Sequence, residues 1–210
     1  MTDPYREACR CVMAGGLVAF PTETVWGLGA DARSESAVAA LQRFKGRGAD
    51  APVAILVDDA ASLDPLGFLV PDVARELAVR FWPGPLTLVL PCRVHFAAGV
   101  ARSDGAVGVR CSSHPVASAL AKRLAADGAG PVTATSFNRS GEPAARSRDE
   151  AEALAAAASV PRPWLLPEGE AGGAPASTVV DVCGPEARVL RWGALRAEDL
   201  EPVLQESGPA

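Results

Sequence analysis

Lysine is nearly missing from this chain: 18 of its 20 basic residues are Arg, and only Lys45 and Lys122 are Lys. A position that keeps Lys in such a composition is a candidate for a role needing a compact ammonium, although a bias of this kind also leaves a few lysines behind by chance. Histidine is as scarce. His95 and His114 have no partner at metal-binding spacing, so neither is expected to be a ligand and no protein-held metal is expected. The five cysteines (Cys9, Cys11, Cys92, Cys111 and Cys183) are scattered, and no pair has the two-residue spacing of a zinc or redox site. An odd count of this kind fits free thiols in a reducing cytoplasmic compartment. No apolar run approaches the ~20 residues that cross a bilayer. The first ten residues lack a basic region followed by an apolar block, so no signal peptide is expected. Neither GxGxxG opening a helix nor GxxxxGK[ST] occurs, so a nucleotide, if bound, is held in another way. The net charge of −5 argues against a general nucleic-acid coat and leaves room for a local basic cleft.

What is present is a chain of 210 residues, 49% hydrophobic, with no linker or internal repeat; residues 1–210 are expected to form one domain. Helices are expected at Asp3 to Met13, Ser34 to Lys45, Pro71 to Trp82, Pro115 to Ala126, Glu150 to Ala158 and Ala197 to Gln205. Short apolar runs predict strands at Leu17 to Phe20, Pro52 to Val57, Leu86 to Leu90, Val107 to Arg110, Pro131 to Thr135, Ser177 to Val182 and Arg188 to Arg191. Pro21 is expected to end the first of these, because it cannot donate to a ladder. Pro161 to Pro175, rich in Gly and Pro, reads as the best candidate for a mobile loop. Strands and helices mix without strict alternation, which points to α/β layers around a mixed sheet.

Three short patterns could carry chemistry. Thr22 and Thr24 lie two apart, so in an extended segment their hydroxyls share a side. Gly46 and Gly48 interrupt the helix around Lys45 and Arg47; an extended backbone there would aim both cations at one point. Ser136 and Asn138 repeat that spacing at the end of a strand. Each pattern also has a plain reading: a hairpin corner, a solvated helix end whose cations suit the dipole, or turn-forming residues.

Taken together, seven motifs occur in order from about Gly15 to Gly193. They are Pro21-Thr22-Glu23-Thr24-Val25-Trp26-Gly27-Leu28-Gly29, Lys45-Gly46-Arg47, Trp82-Pro83-Gly84-Pro85-Leu86-Thr87, Gly108-Val109-Arg110, Thr135-Ser136-Phe137-Asn138-Arg139-Ser140-Gly141, Ser177-Thr178-Val179-Val180-Asp181 and Leu190-Arg191-Trp192-Gly193. In this series the chain resembles the YrdC-type threonylcarbamoyl-AMP synthases. The resemblance implies a twisted mixed parallel/antiparallel sheet with helices on both faces and a concave, positively charged cavity. It also implies that L-threonine, bicarbonate or CO2, and ATP react to threonylcarbamoyl-adenylate and pyrophosphate. That reaction is the first step toward N6-threonylcarbamoyladenosine at tRNA position 37.

By the same resemblance Lys45, Arg47, Ser136 and Asn138 are the catalytic and ATP-binding residues, with Arg191 on the phosphates and Mg2+ arriving with ATP. Thr22, Thr24, Arg110, Ala134 and Ser177 match the threonine side. A downstream tRNA threonylcarbamoyl transferase complex and weak tRNA contact are the implied partners, in the cytoplasm and away from membranes. Four positions depart from the family pattern: Phe137 for a usual Ala, Trp26 for a common Tyr, and Leu56 and Ala106 where some relatives carry His and Thr. Two other classes stay open. One is a module that holds RNA without chemistry; the other is carbamoyl transfer to a different acceptor, as in larger hydrogenase-maturation proteins, whose zinc-finger cysteine pairs have no counterpart here.

Overall fold

The computed structural model describes residues 3–46, 48, 52–158 and 162–206. Helix α1 (Pro4–Met13) begins at Asp3, whose carboxylate accepts the Tyr5 and Arg6 N–H groups, and is followed by Gly15 at φ 77°. Strand β1 (Val18–Pro21) pairs antiparallel with β2 (Trp26–Gly29). β1 ends at Pro21, as expected, with Pro21 itself the last paired residue, opposite Trp26. The hairpin can include it because the closing bonds come from Thr22, whose N–H and hydroxyl both donate to the Val25 carbonyl. Helix α2 (Glu35–Lys45) is capped by the Ser34 hydroxyl and stops at Gly46, which takes the left-handed conformation (φ 64°, ψ 34°).

The remaining elements follow as β3 (Ala54–Val57), α3 (Asp72–Phe81), β4 (Leu86–Leu90), β5 (Val107–Cys111), α4 (Pro115–Ala126) and β6 (Val132–Ser136). Then come α5 (Arg148–Ala156), β7 (Trp164–Leu165), β8 (Thr178–Asp181), β9 (Arg188–Arg191) and α6 (Ala197–Glu206). The strands form one mixed sheet in the order β7-β1-β2-β6-β3-β5-β4-β8-β9. Pairs β7/β1, β3/β5 and β4/β8 are parallel and the others antiparallel.

Strand side chains alternate between faces, and this chain uses the two faces differently. Ile55, Leu88, Val109 and Val180 enter the larger core, which also takes Leu41 of α2, Leu77 of α3 and Leu200 of α6. On the other face α1 and α4 cover Val18, Phe20, Leu56 and Val132. Beyond those two helices the same face carries Ala54, Thr87, Gly108, Arg110, Ala134 and Ser136, and here it lines a cavity of about 420 Å³. Helices thus flank both faces, and the cavity is the stretch of sheet they leave uncovered. Among the described residues no helix is long and apolar enough to cross a membrane.

The expected mobile loop is tied down along much of its length. Trp164 and Leu166 donate to the carbonyls of Leu17 and Ala19, which places β7 beside β1 and buries Leu166 fully. Gly172, Gly173 and Ala174 then donate to the carbonyls of Thr22, Thr24 and Glu23, so the segment straps the Thr22–Thr24 turn. Residue 161 lies outside the described residues.

Arg102 pins the turn before β5 to β8. Its guanidinium meets Asp104 at 2.5 Å and Asp181 at 2.6 Å. The hydrogen bonds from Arg102 hold the Asp104 carboxyl down at about 2. A depressed folded pKa adds stability above the ordinary carboxylate value, and that contribution is lost as pH falls through the folded one. Melting temperature should therefore drop between about pH 4 and pH 2. Arg102→Met should lower it at neutral pH and flatten that acid limb; an unchanged limb in the variant would show that the brace contributes nothing.

Candidate active site

Lys45, the last residue of α2, is 3% exposed, and its ammonium is held by the turn after β6. Nζ donates to the Ser136 carbonyl, the Asn138 carbonyl (3.3 Å) and Asn138 Oδ1 (2.7 Å). Ser136 Oγ donates to the same Oδ1 at 2.8 Å, while Asn138 Nδ2 donates to the Glu142 carbonyl at 2.6 Å. Three further contacts fasten the two loops: the Ser140 N–H on the Lys45 carbonyl, Phe137 against Phe44 at 5.4 Å, and Arg139. Arg139 lies over the Phe44 ring and donates to the Phe44 carbonyl. Lys45 is therefore not presented by an extended backbone beside Arg47. A helix end and an αL glycine direct it into the Ser136–Asn138 turn. Arg47 lies outside the described residues.

The Thr22–Thr24 turn is a directed hydrogen-bond chain. Arg110 Nη2 donates to Thr24 Oγ1 (3.1 Å). Because the Thr22 hydroxyl donates to the Val25 carbonyl (2.7 Å), its 2.9 Å contact with Thr24 must run from Thr24 to Thr22. Thr22 Oγ1 also accepts the backbone N–H groups of Thr24 and Val25, so its hydroxyl is committed to the turn. Behind Arg110 stands Glu23, 3.0 Å from Nη2, with side-chain exposures of 12% and 15% for the pair. Ser112 donates to the other Glu23 oxygen. Burial pushes the Glu23 carboxyl up, but the Arg110 charge and the Ser112 hydroxyl outweigh it and hold the group below its ordinary value. Arg110 Nε is buried with no hydrogen-bond partner among the described residues.

At the far end of the cavity, Ser177 Oγ lies 2.9 Å from Thr87 Oγ1 and accepts from Arg191 Nη2 at 3.3 Å. Arg191 also donates to the Ser177 carbonyl at 3.0 Å. Gly193 makes this close approach possible, since a Cβ there would sit 2.0 Å from the Ala176 carbonyl oxygen. Pairing between β8 and β9 shifts from Val180↔Val189 to Val179↔Arg191, leaving Leu190 as an extra residue. Such a bulge re-aims side chains, and both Leu190 and Arg191 line the cavity. Burial and the neighbouring Arg110 lower the pKa of Arg191.

Of the residues singled out from sequence, Thr22, Thr24, Arg110, Ala134, Ser136, Ser177 and Arg191 border one cavity. Lys45 and Asn138 brace Ser136 and are not among the lining residues. Among the described residues, Arg102, Arg110 and Arg191 are the charged residues of the wall. Of these, Arg191 has no carboxylate within ion-pair distance among the described residues. Leu56 and Ala106 also border the cavity, while Phe137 packs on Phe44 and does not. Sequence reasoning gave no role to Glu23, Ser112, Thr87 or Arg139. Glu23, Thr87 and Arg139 fell inside quoted motifs, and the available signal for Glu23 was its place between Thr22 and Thr24.

Hydroxyls, guanidiniums and small residues on an uncovered sheet face define a class: an α/β protein whose cavity suits phosphate and carboxylate groups. Residues 10–193 match the family model for Sua5, YciO and YrdC proteins, described as telomere recombination. The chain belongs to this family. A relative from Mycobacterium tuberculosis is 39% identical over 199 residues, covering 94% of this chain and 88% of that protein. The threonylcarbamoyl-AMP synthase of Bacillus subtilis is 34% identical over 96% of this chain, which spans 57% of that protein. Sua5 of Pyrococcus abyssi, solved with L-threonine, superposes with a TM-score of 0.86 at 36% identity. That match covers 98% of this chain and 59% of the other.

Replacing Glu23 by Gln keeps its shape and removes the countercharge behind Arg110. The variant should lose about 3 kcal/mol of unfolding free energy, because a largely buried Arg110 charge is left without its counter-ion. Denaturant unfolding checks this; a change under about 0.5 kcal/mol, typical of a surface site, would mean the pair does not order the cavity.

Proposed function

We propose that this chain is a threonylcarbamoyl-AMP synthase, making L-threonylcarbamoyladenylate and pyrophosphate from L-threonine, bicarbonate or CO2, and ATP. The observation that carries the reading is the joining of Lys45, Ser136 and Asn138 into one bonded unit at a cavity whose other side holds Thr24, Arg110 and Ser177. Two chemically different ends suit two different substrates.

The amine of threonine must first become a carbamate, because the product carries a carbonyl between amine and adenylate. A carbamate oxygen then attacks the α-phosphorus and pyrophosphate leaves. Such displacement needs positioning and charge neutralisation more than covalent help. Arg110, oriented by Glu23 and Thr24, is the natural partner of the amino-acid carboxylate, which a guanidinium binds bidentately. Ser136 and Asn138 place the nucleotide, Lys45 fixes their turn and supplies positive charge beneath it, and Arg47 and Arg191 take phosphate oxygens. Thr22 holds the turn that presents Thr24, and Ala134 completes the small-residue wall of the threonine side.

Among the described residues no group of three or more His, Cys, Asp or Glu could hold a metal ion. Among the described residues the cavity wall offers no carboxylate ligand, so Mg2+ is assigned to the ATP phosphates, where it offsets their charge. The product is consumed by a tRNA threonylcarbamoyl transferase complex in the cytoplasm, and contact with bare tRNA is weak because the chain is acidic overall.

Pyrophosphate release from ATP and Mg2+ should require L-threonine and bicarbonate together, with either omission returning it to background. Serine should be poorer by roughly 10- to 200-fold, the usual discrimination for one methyl group. Equal ATP hydrolysis without threonine, or threonine activation without bicarbonate, contradicts the assignment.

A further inference from the structure

Thr87 closes the Trp82–Thr87 motif and has no part in the assignment above. It is 6% exposed and lines the cavity. Its register partners are Arg110 on β5 and Val179 on β8. Residues directly opposite across antiparallel strands share a face, with Cβ atoms about 4.5–5.5 Å apart. Thr87 therefore stands between the Arg110 side chain and the Ser177 hydroxyl, 2.9 Å from the latter. Its strand, β4, is three positions from β6 in the sheet, or about 14 Å at ordinary strand spacing. That distance puts Thr87 at the end of the cavity away from Ser136.

Counting hydrogens shows what the Thr87–Ser177 pair can offer. Each hydroxyl carries one hydrogen and two acceptor lone pairs. One Ser177 lone pair is taken by Arg191 Nη2. The bond between the two hydroxyls uses one of their two hydrogens, whichever residue donates it. Neither hydroxyl has another acceptor among the described residues. One hydrogen thus remains, on the cavity side of the sheet, flanked by the guanidiniums of Arg110 and Arg191. A single donor between two cations is matched by an anion with an oxygen to spare.

We propose that the Ser177 hydroxyl donates to Thr87 and that the Thr87 hydroxyl donates to the α-carboxylate of the amino-acid substrate, which makes Thr87 a binding and specificity-determining residue. This rests on the synthase reading. It also extends it: with Arg110 as bidentate partner and the Thr87 hydroxyl as a third donor, the site selects a free α-carboxylate over its ester or amide.

Calorimetry on the full chain tests this with L-threonine and L-threonine methyl ester. Wild type should bind the acid more tightly than the ester. Thr87→Val should weaken L-threonine about 10-fold, the size expected when one hydrogen bond to a charged group is lost. It should weaken the ester less, because a neutral carbonyl is a weaker acceptor than a carboxylate, and leave ATP binding unchanged, and Thr87→Ser should restore threonine affinity. Equal threonine affinity in wild type and Thr87→Val overturns the proposal, as does an equal loss for acid and ester, which would mark packing damage. If Thr87→Val does not fold, Thr87→Ala against Thr87→Ser decides, with equal threonine affinities overturning it. Wild type that binds no amino acid contradicts the synthase reading itself, a result distinct from failure of Thr87 alone.

Discussion

A buried ammonium must be hydrogen-bonded on all sides, and that demand at Lys45 organises the cavity. The lysine has three N–H donors, and the turn after β6 supplies three acceptors for them, two carbonyls and the Asn138 side chain. Meeting the demand brings the end of α2 over the end of β6, segments 91 and 93 residues apart in the chain. Ser136 is fixed by the same arrangement, since it shares Asn138 Oδ1 with the ammonium. The cation–π contact of Arg139 with Phe44 and the Phe44–Phe137 pair lock the junction from the apolar side.

The rest of the site follows from which sheet face is covered. The larger core fills one face with branched side chains, and the other face is shared between α1, α4 and the cavity. Where the cavity lies, the strands carry Ala54, Gly108 and Ala134, small enough to leave room above the sheet. The few polar groups there are tied to one another. Arg110 is held by Glu23 and Thr24, and Arg191 by the Ser177 backbone and hydroxyl. Side chains fixed before a ligand arrives lose little freedom on binding, which is how a small cavity becomes selective.

Much of this was legible in the sequence. The short apolar runs around Ile55 and Leu88 read as strands because they are mostly buried on both faces, and Ser34 and Gly46 marked the limits of α2 as their cap chemistry requires. The spacing of Ser136 and Asn138 also pointed to a shared role, and their side chains do bond to each other. The reason for singling out Lys45 was different from the one the structure gives: its setting is a helix end, which no local pattern could connect to a turn far along the chain. The tie of residues 164–174 to β1 and the Thr22–Thr24 turn was hidden in the same way, because Gly and Pro suggest looseness while the restraint comes from distant carbonyls. Thr87 gains its meaning from strand register, and Glu23 from a contact with Arg110 far along the chain, neither of which composition encodes.

The central claim is that Lys45 and Asn138 form one unit that shapes the nucleotide end of the cavity. A double-mutant cycle on ATP affinity tests it directly, using Lys45→Met, Asn138→Ala and the double variant, each checked for folding. If the two act as a unit, the double variant binds ATP no worse than the weaker single variant, giving a coupling within the range of about 0.5–3 kcal/mol seen for residues in one network. Additive losses, with a coupling near zero, would contradict the claim.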